Sequence, residues 1–367
     1  MLTFAFASSS VTIDLTIILP MDASSVPDFD DLPEVEGLPQ GCAWGVFDKD
    51  GKKDVLGTLN FLTPQVVQEA AAEVKDGVSF SLNWPLNGIK FPFPYRKAPV
   101  HTARSLRELG MDGDGFDDEL EINTQFSSQW DSLCHVTLPG HFNTSGHDHA
   151  AGVTYNDAKP TKEGLQVGST AENPLPTLDQ WQARGGVVGR GVLIDFKAYM
   201  DHLGKEYHPL DGYRITVEDI EKVAAHQGAE FKAGDILIIR TGYTEILEAP
   251  TAEDFDKFQK GTLSGVHGAE ETARWVWNKR LAAVAGDMHA FEAIPALQAD
   301  GSVGGPLDLV LHPYFLCMFG MPIGELWDLK AVGAYCKKVG RYTFLLTSMP
   351  LNHPGLVASP PNATAIF

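Results

Sequence analysis

Asp235-Ile-Leu-Ile-Ile-Arg240 is a short apolar run with polar residues only at its two ends. Four branched aliphatic side chains in succession cannot alternate between water and core. Such a run reads as a strand covered on both faces, the pattern of a parallel sheet flanked by helices. The neighbouring segments agree. Upstream, Thr216 opens a helix with Asp219 at the capping-box position, and Gly228 closes it. Further upstream, Gly189–Asp195 carries Val192-Leu-Ile, a second buried strand. Downstream, Ala273, Val276, Trp277 and Leu281 have helical spacing from Glu270 onward, and Leu281–Gly286 reads as a third buried strand. Asp328–Lys337 reads as a helix and Tyr342–Thr347 as a strand. Near the N-terminus, Thr63-Pro64 starts a helix expected to run to about Gly77. Val78–Leu82 follows as a short strand, then a long loop from Trp84 to Pro99. Helices alternating with short buried strands specify an α/β class.

The chain has 367 residues, a formal net charge of -20 and 21% charged residues. A surface this acidic repels phosphate backbones and anionic lipid, so neither nucleic acid nor a membrane surface is an expected partner. No segment has the ~18 uninterrupted apolar residues of a membrane span. The four cysteines, Cys42, Cys134, Cys317 and Cys336, are widely spaced and make no CxxC pair. That excludes paired-thiolate zinc and suits a reducing, cytoplasmic compartment. Residues 1–40 read as an irregular N-terminal extension. Met1–Pro20 is apolar without a basic leader, and Met21 is an alternative start. Residues 41–367 read as one domain. Gly110–Glu119 interleaves acids with glycines but lacks the terminal Glu spacing and flanking helices of an EF-hand, so it reads as a solvated loop.

Chemistry concentrates in Gln125-Phe-Ser-Ser-Gln129-Trp-Asp131-Ser-Leu-Cys-His135. Its two carboxamides, carboxylate and imidazole stand at even offsets. On an extended strand all four face one side, where they can hold a divalent cation or position a water. The competing reading makes Asp131 a turn cap and His135 a core histidine. A second cluster, His141, His147, Asp148 and His149, reads either as a metal site or as a solvated loop. Glu325 follows an apolar run. If buried, it requires a partner such as Arg240 or His312. There is no G-x-S-x-G elbow, P-loop or dinucleotide fingerprint.

The Gln125–His135 stretch resembles the metal-binding motif of the cyclase family, which includes bacterial kynurenine formamidases and isatin hydrolases. That motif reads H-x-G-T-H-x-D-x-x-x-H. Gln125 and Gln129 stand at its first two histidines, Ser127-Ser128 at its Gly-Thr, and Asp131 and His135 at its Asp and last His. The resemblance extends through Cys42-Ala-Trp-Gly-Val-Phe47, Leu56–Pro64, Gly234–Gly242, Ala283–Asp287, Gly320–Leu329 and Ser359–Ala363. It implies a compact, β-barrel-like mixed sheet surrounded by helices, a homodimer or higher homo-oligomer, and a hydrolase for an amide, cyclic amide or lactone bond of a small aryl or carbonyl substrate. The implied metal ligands are Gln125, Gln129, Asp131 and His135, holding Mn²⁺ or Zn²⁺. The two glutamines weaken the site and favour harder ions. The implied catalytic residues are Asp131 and His135, joined by His267 and Glu271 from later in the chain. Glu270 competes with Glu271, and both also suit a helix N-terminus. His312 and Glu325 match polar positions of the family's C-terminal part. Trp130, Phe126 and Trp84 are expected to flank an aromatic substrate. Two alternatives stay open: a metal-independent isomerase or ring-closing enzyme using Asp131 and His135 as an acid–base pair, and an inactive binding homologue.

Overall fold

The computed structural model of the chain describes residues 22–90, 95–138, 152–297, 301–305 and 308–367. The elements in order are α1 (Pro64–Ala71), β1 (Ser79–Ser81), β2 (Val100–Ser105), β3 (Phe116–Glu121), β4 (Gln129–Asp131), α2 (Leu178–Ala183), β5 (Val187–Asp195), α3 (Phe196–His202), β6 (Arg214–Ile215), α4 (Val217–Gln227), β7 (Ile236–Arg240), α5 (Tyr243–Glu248), α6 (Ala252–Phe258), β8 (Gly265–Val266), α7 (Glu270–Asn278), β9 (Ala283–Gly286), β10 (Ile323–Glu325), α8 (Lys330–Val339), β11 (Thr343–Ser348), β12 (Ala358–Ser359) and β13 (Ala363–Ile366). A π-helix, Pro313–Phe319, precedes β10.

Nine strands form one mixed sheet in the order β1-β13-β11-β5-β7-β9-β10-β4-β12. The sheet curls into a half-barrel with helices around it. Its middle, β5-β7-β9-β10, is parallel. All five residues of β7 and all four of β9 are buried, as their apolar composition requires. The flanks are antiparallel: β11 with β5 and β13 on one side, β4 with β10 and β12 on the other. Crossovers through α3 and α4, then through α5 to α7, return the chain between parallel strands.

Local signals act as the sequence predicts. Thr216 and Asp219 form a reciprocal capping box on α4, and Gly228 ends it at φ 64°. Thr63 caps α1 by accepting from the Val66 amide. That helix stops at Ala71 rather than near Gly77. Beyond it the amides of Asp76 and Gly77 both donate to Phe367 O, at 3.0 and 2.8 Å, tying the chain to the last strand. Two further expectations need correction. The solvated loop Gly110–Glu119 overlaps β3, which pairs with β2 in an antiparallel ribbon. Gln125–His135 is not one extended segment. Only Gln129–Asp131 is strand, because β10 and β12 pair with those three residues alone, and turns precede and follow them. Residues 22–40 hold two short 3₁₀ turns, and Phe29 is buried in the main core.

Candidate active site

Three residues of β4 set the geometry. Cross-strand register places Gln129 opposite Glu325, Trp130 opposite Gly324 and Asp131 opposite Ile323. Alternation along a strand sends Gln129 and Asp131 to one face and Trp130 to the other. Both faces are fully buried. On the Trp130 side, the indole stacks edge-on against Trp327 and Trp181, and its Nε1 donates to Ser348 Oγ at 2.8 Å. Gly324 leaves room for this packing, since a Cβ there would stand 2.8 Å from Trp327 Nε1. Trp130 is therefore a core residue, not a substrate wall. Phe126 and Trp84 lie in a smaller buried cluster with Leu210, Tyr243, Leu247 and Leu326, and Trp84 also lines a surface groove with Pro85, Leu86 and Ser128.

On the other face, polar groups converge. Asp131, His312 and Glu325 are buried, and one donor atom from each lies within 4.8 Å of the others. Gln129 Nε2 donates to Glu325 Oε2 at 2.7 Å and to Asp131 Oδ1 at 3.4 Å. Gln125 Nε2 lies 3.0 Å from Asp131 Oδ1 and 3.0 Å from each ring nitrogen of His135. His135 Nε2 is 3.9 Å from Asp131 Oδ1, and the ring is 24% exposed. The four side chains converge as the sequence predicts, by turns around a three-residue strand rather than by one long strand.

His312 precedes the π-helix, and Glu292 fixes its ring. Glu292 Oε1 pairs with His312 Nδ1 at 2.9 Å and accepts the Leu311 and His312 amides, while Oε2 accepts the Val310 amide. This leaves His312 Nε2 facing the site, 3.3 Å from Glu325 Oε1. Of the two partners expected for Glu325, His312 is the one present. Arg240 instead pairs with Asp195 and Glu245. Burial works against a charged His312, but the hydrogen bonds and charges of Glu292 and Glu325 outweigh it and hold its pKa up at about 10. Burial and the adjacent Asp131 charge push the Glu325 carboxyl up to about 7. Burial pulls His135 below the usual imidazole value, against the pull of Asp131.

His267 and Glu271 are not part of this gathering. His267 follows β8, where its amide donates to Ile215 O and its carbonyl accepts from Thr272 Oγ1. Glu271 is exposed on α7 and borders a surface groove with Val217, Arg274 and Trp275. Glu270, its competitor, pairs with Arg274. Both acids lie in the first helical turn, where the helix dipole favours them. The cluster of His141, His147, Asp148 and His149 lies outside the described residues. Glu292 and Arg96 are the residues the sequence reading missed, Glu292 because a lone acid in Phe-Glu-Ala carries no spacing signal.

The donor set fits a divalent ion. Two carboxylates and an imidazole converge, and the imidazole has the carboxylate on its far nitrogen that metal-binding histidines use. Two buried oxygens on the same face, Gln129 Oε1 and Asp131 Oδ2, have no hydrogen-bond partner among the described residues. Buried polar atoms left unpaired are costly, and a cation or water would satisfy them.

A protein-family model described as "Putative cyclase" matches residues 13–293. Among solved structures, one described as a novel cyclase aligns with TM-score 0.70 and 28% identity, covering 89% of this chain and 99% of its own. Isatin hydrolase A from Ralstonia solanacearum aligns with TM-score 0.50 and 14% identity, over 83% and 97% of the two chains. A predicted metal-dependent hydrolase from Bacillus stearothermophilus aligns with TM-score 0.41 and 17% identity, over 78% and 97%. No curated protein matches the chain.

Proposed function

The chain belongs to the cyclase family, and on that premise we propose that it is a metal-assisted hydrolase of an amide, cyclic amide or lactone bond in a small aryl or carbonyl substrate. The convergence of Asp131, His312 and Glu325 carries this reading. These three would hold the ion, with Gln129 Oε1 as a further oxygen ligand, and His312 would give up on binding the proton that it carries without the ion. Mn²⁺ suits a set dominated by oxygen better than Zn²⁺ does. A divalent ion bound there supplies Lewis acidity and a water of lowered pKa.

The protein's own groups do the rest. Glu292 fixes which His312 nitrogen faces the site. His135 is neutral at neutral pH because burial lowers its pKa, so its free ring nitrogen accepts the proton of the attacking water and returns it to the leaving amine or alcohol. Gln125 orients that ring and Asp131 together. Buried walls exclude bulk water from Asp131 and Glu325.

One observation favours a second reading, a metal-free acid–base enzyme. Both carboxamide nitrogens already donate to Asp131, and that of Gln129 also bridges to Glu325, where a cation would otherwise sit. Metal analysis of gently purified protein separates the two. Near-stoichiometric metal, with turnover lost on chelation and restored by Mn²⁺, is the expected result. Less than about a tenth of an equivalent, with turnover surviving chelator, would overturn the metal-assisted reading. Asp131→Asn and His135→Ala should each reduce turnover by at least ~100-fold. Unchanged turnover in both would remove these residues from the mechanism.

A further inference from the structure

Gln125 joins two side chains at the edge of the site. Its side-chain nitrogen holds His135 and Asp131, and its main-chain carbonyl oxygen accepts a hydrogen bond from Arg96 Nη1. Arg96 and His135 are both only partly buried, whereas Asp131 and Glu325 lie beneath them. The Arg96 charge is close enough to influence His135, His289 and Glu325. Yet among the described residues no carboxylate lies within ion-pair distance of its guanidinium. A guanidinium has five N–H donors in a planar fork, and the Gln125 main-chain carbonyl takes one of them. Among the described residues the remaining donors have no other hydrogen-bond partner, and they lie near the ring proposed to move the proton.

We propose that Arg96 is an anion-recognition residue of this site, and that the substrate carries a carboxylate next to the bond that is broken. This rests on the hydrolase reading above. The physical need is plain. The chain has a net charge of -20, and the carboxylates of Asp131 and Glu325 converge on the site. A fixed cation at the entrance would draw an anionic substrate in against the acidic surface and set its orientation. Arginine is the residue suited to it, because its fork binds both carboxylate oxygens and sets the direction of the rest of the molecule. Since Gln125 holds both Arg96 and His135, an anion seated on Arg96 places the adjoining carbonyl over the imidazole.

The test compares formanilide with its 2-carboxy and 3-carboxy derivatives in the metal-loaded wild-type protein and in Arg96→Gln and Arg96→Lys. Comparing the variants' effects across probes cancels the probes' intrinsic reactivity. Arg96→Gln should lower kcat/KM for at least one carboxylate probe by ~10-fold or more beyond its effect on formanilide, chiefly through KM. Arg96→Lys should recover part of that loss, since charge returns without the fork. An equal loss on all three probes would overturn the proposal and leave Arg96 as a positioning residue for Gln125. If the wild type hydrolyses none of them, the hydrolase reading is what fails for these bonds. Calorimetric titration with the carboxylate probes then decides the matter. Affinity at least ~10-fold weaker in Arg96→Gln than in wild type supports the anion site, and equal affinity, or no binding to wild type, overturns it.

Discussion

Glu292 shows how much a residue without direct access to the reacting position can control. Four donors converge on its carboxylate: three successive backbone amides and the His312 ring. Glu292→Gln keeps the shape but removes the charge and turns one oxygen into a donor facing those amides. We expect metal affinity to fall by about 10- to 100-fold, the usual cost of losing the partner behind a metal-binding histidine. Isothermal titration with Mn²⁺ would measure it. Unaltered affinity would show that His312 is not a ligand. Asp131, Gln125, Gln129 and His135 are legible in the sequence because they are close in the chain. His312 and Glu325 stand out there only as polar positions, and His267 and Glu271 are the stronger candidates for the second half of the site. The misplacement has a physical origin. His312 and Glu325 come from opposite ends of the π-helix and β10; Glu292 positions the first and the β4–β10 register brings the second beside Gln129 and Asp131. No spacing rule encodes that register.

Elements with strong local signals were legible and the rest were not. The β7 run, the capped α4 and the buried β9 match their expected positions within a residue or two. Here the capping box also has a measurable weight. Thr216→Ala removes the acceptor for the Asp219 amide and leaves the Asp219 carboxylate with the residue-216 amide and the Tyr213 hydroxyl. It should destabilise the fold by about 1 kcal/mol, read as a lower urea midpoint with unchanged slope. The loop expected at Gly110–Glu119 covers most of β3, and β2 carries no strand signal either, because nearly every residue in the ribbon is exposed. With no buried face there is no alternation to detect. Its pairing shows instead in cross-strand charges, His101 with Asp118 and Arg104 with Glu119. The π-helix escaped for the opposite reason: all seven of its residues are buried, so it offers no amphipathic period.

Over the whole molecule the acidic surface acts as a standing stress. With 48 acidic and 28 basic side chains, the compact state brings like charges together. Screening should relieve this. The unfolding midpoint should rise by a few degrees between low salt and about 0.5 M NaCl, where the Debye length drops to a few ångströms. A midpoint that falls or stays flat in a thermal scan would show that the surface ion pairs, not the net repulsion, dominate.

The three residues of β4 belong to two compartments at once, with Trp130 among tryptophans and Gln129 and Asp131 among acids. A frame shift of one position would drive an indole into the reaction chamber and bury an unpaired carboxylate in oil-like surroundings, ruining foldability and chemistry in the same event. Diversification along this segment is thereby restricted to exchanges of one letter for another in place, and never to insertion or deletion.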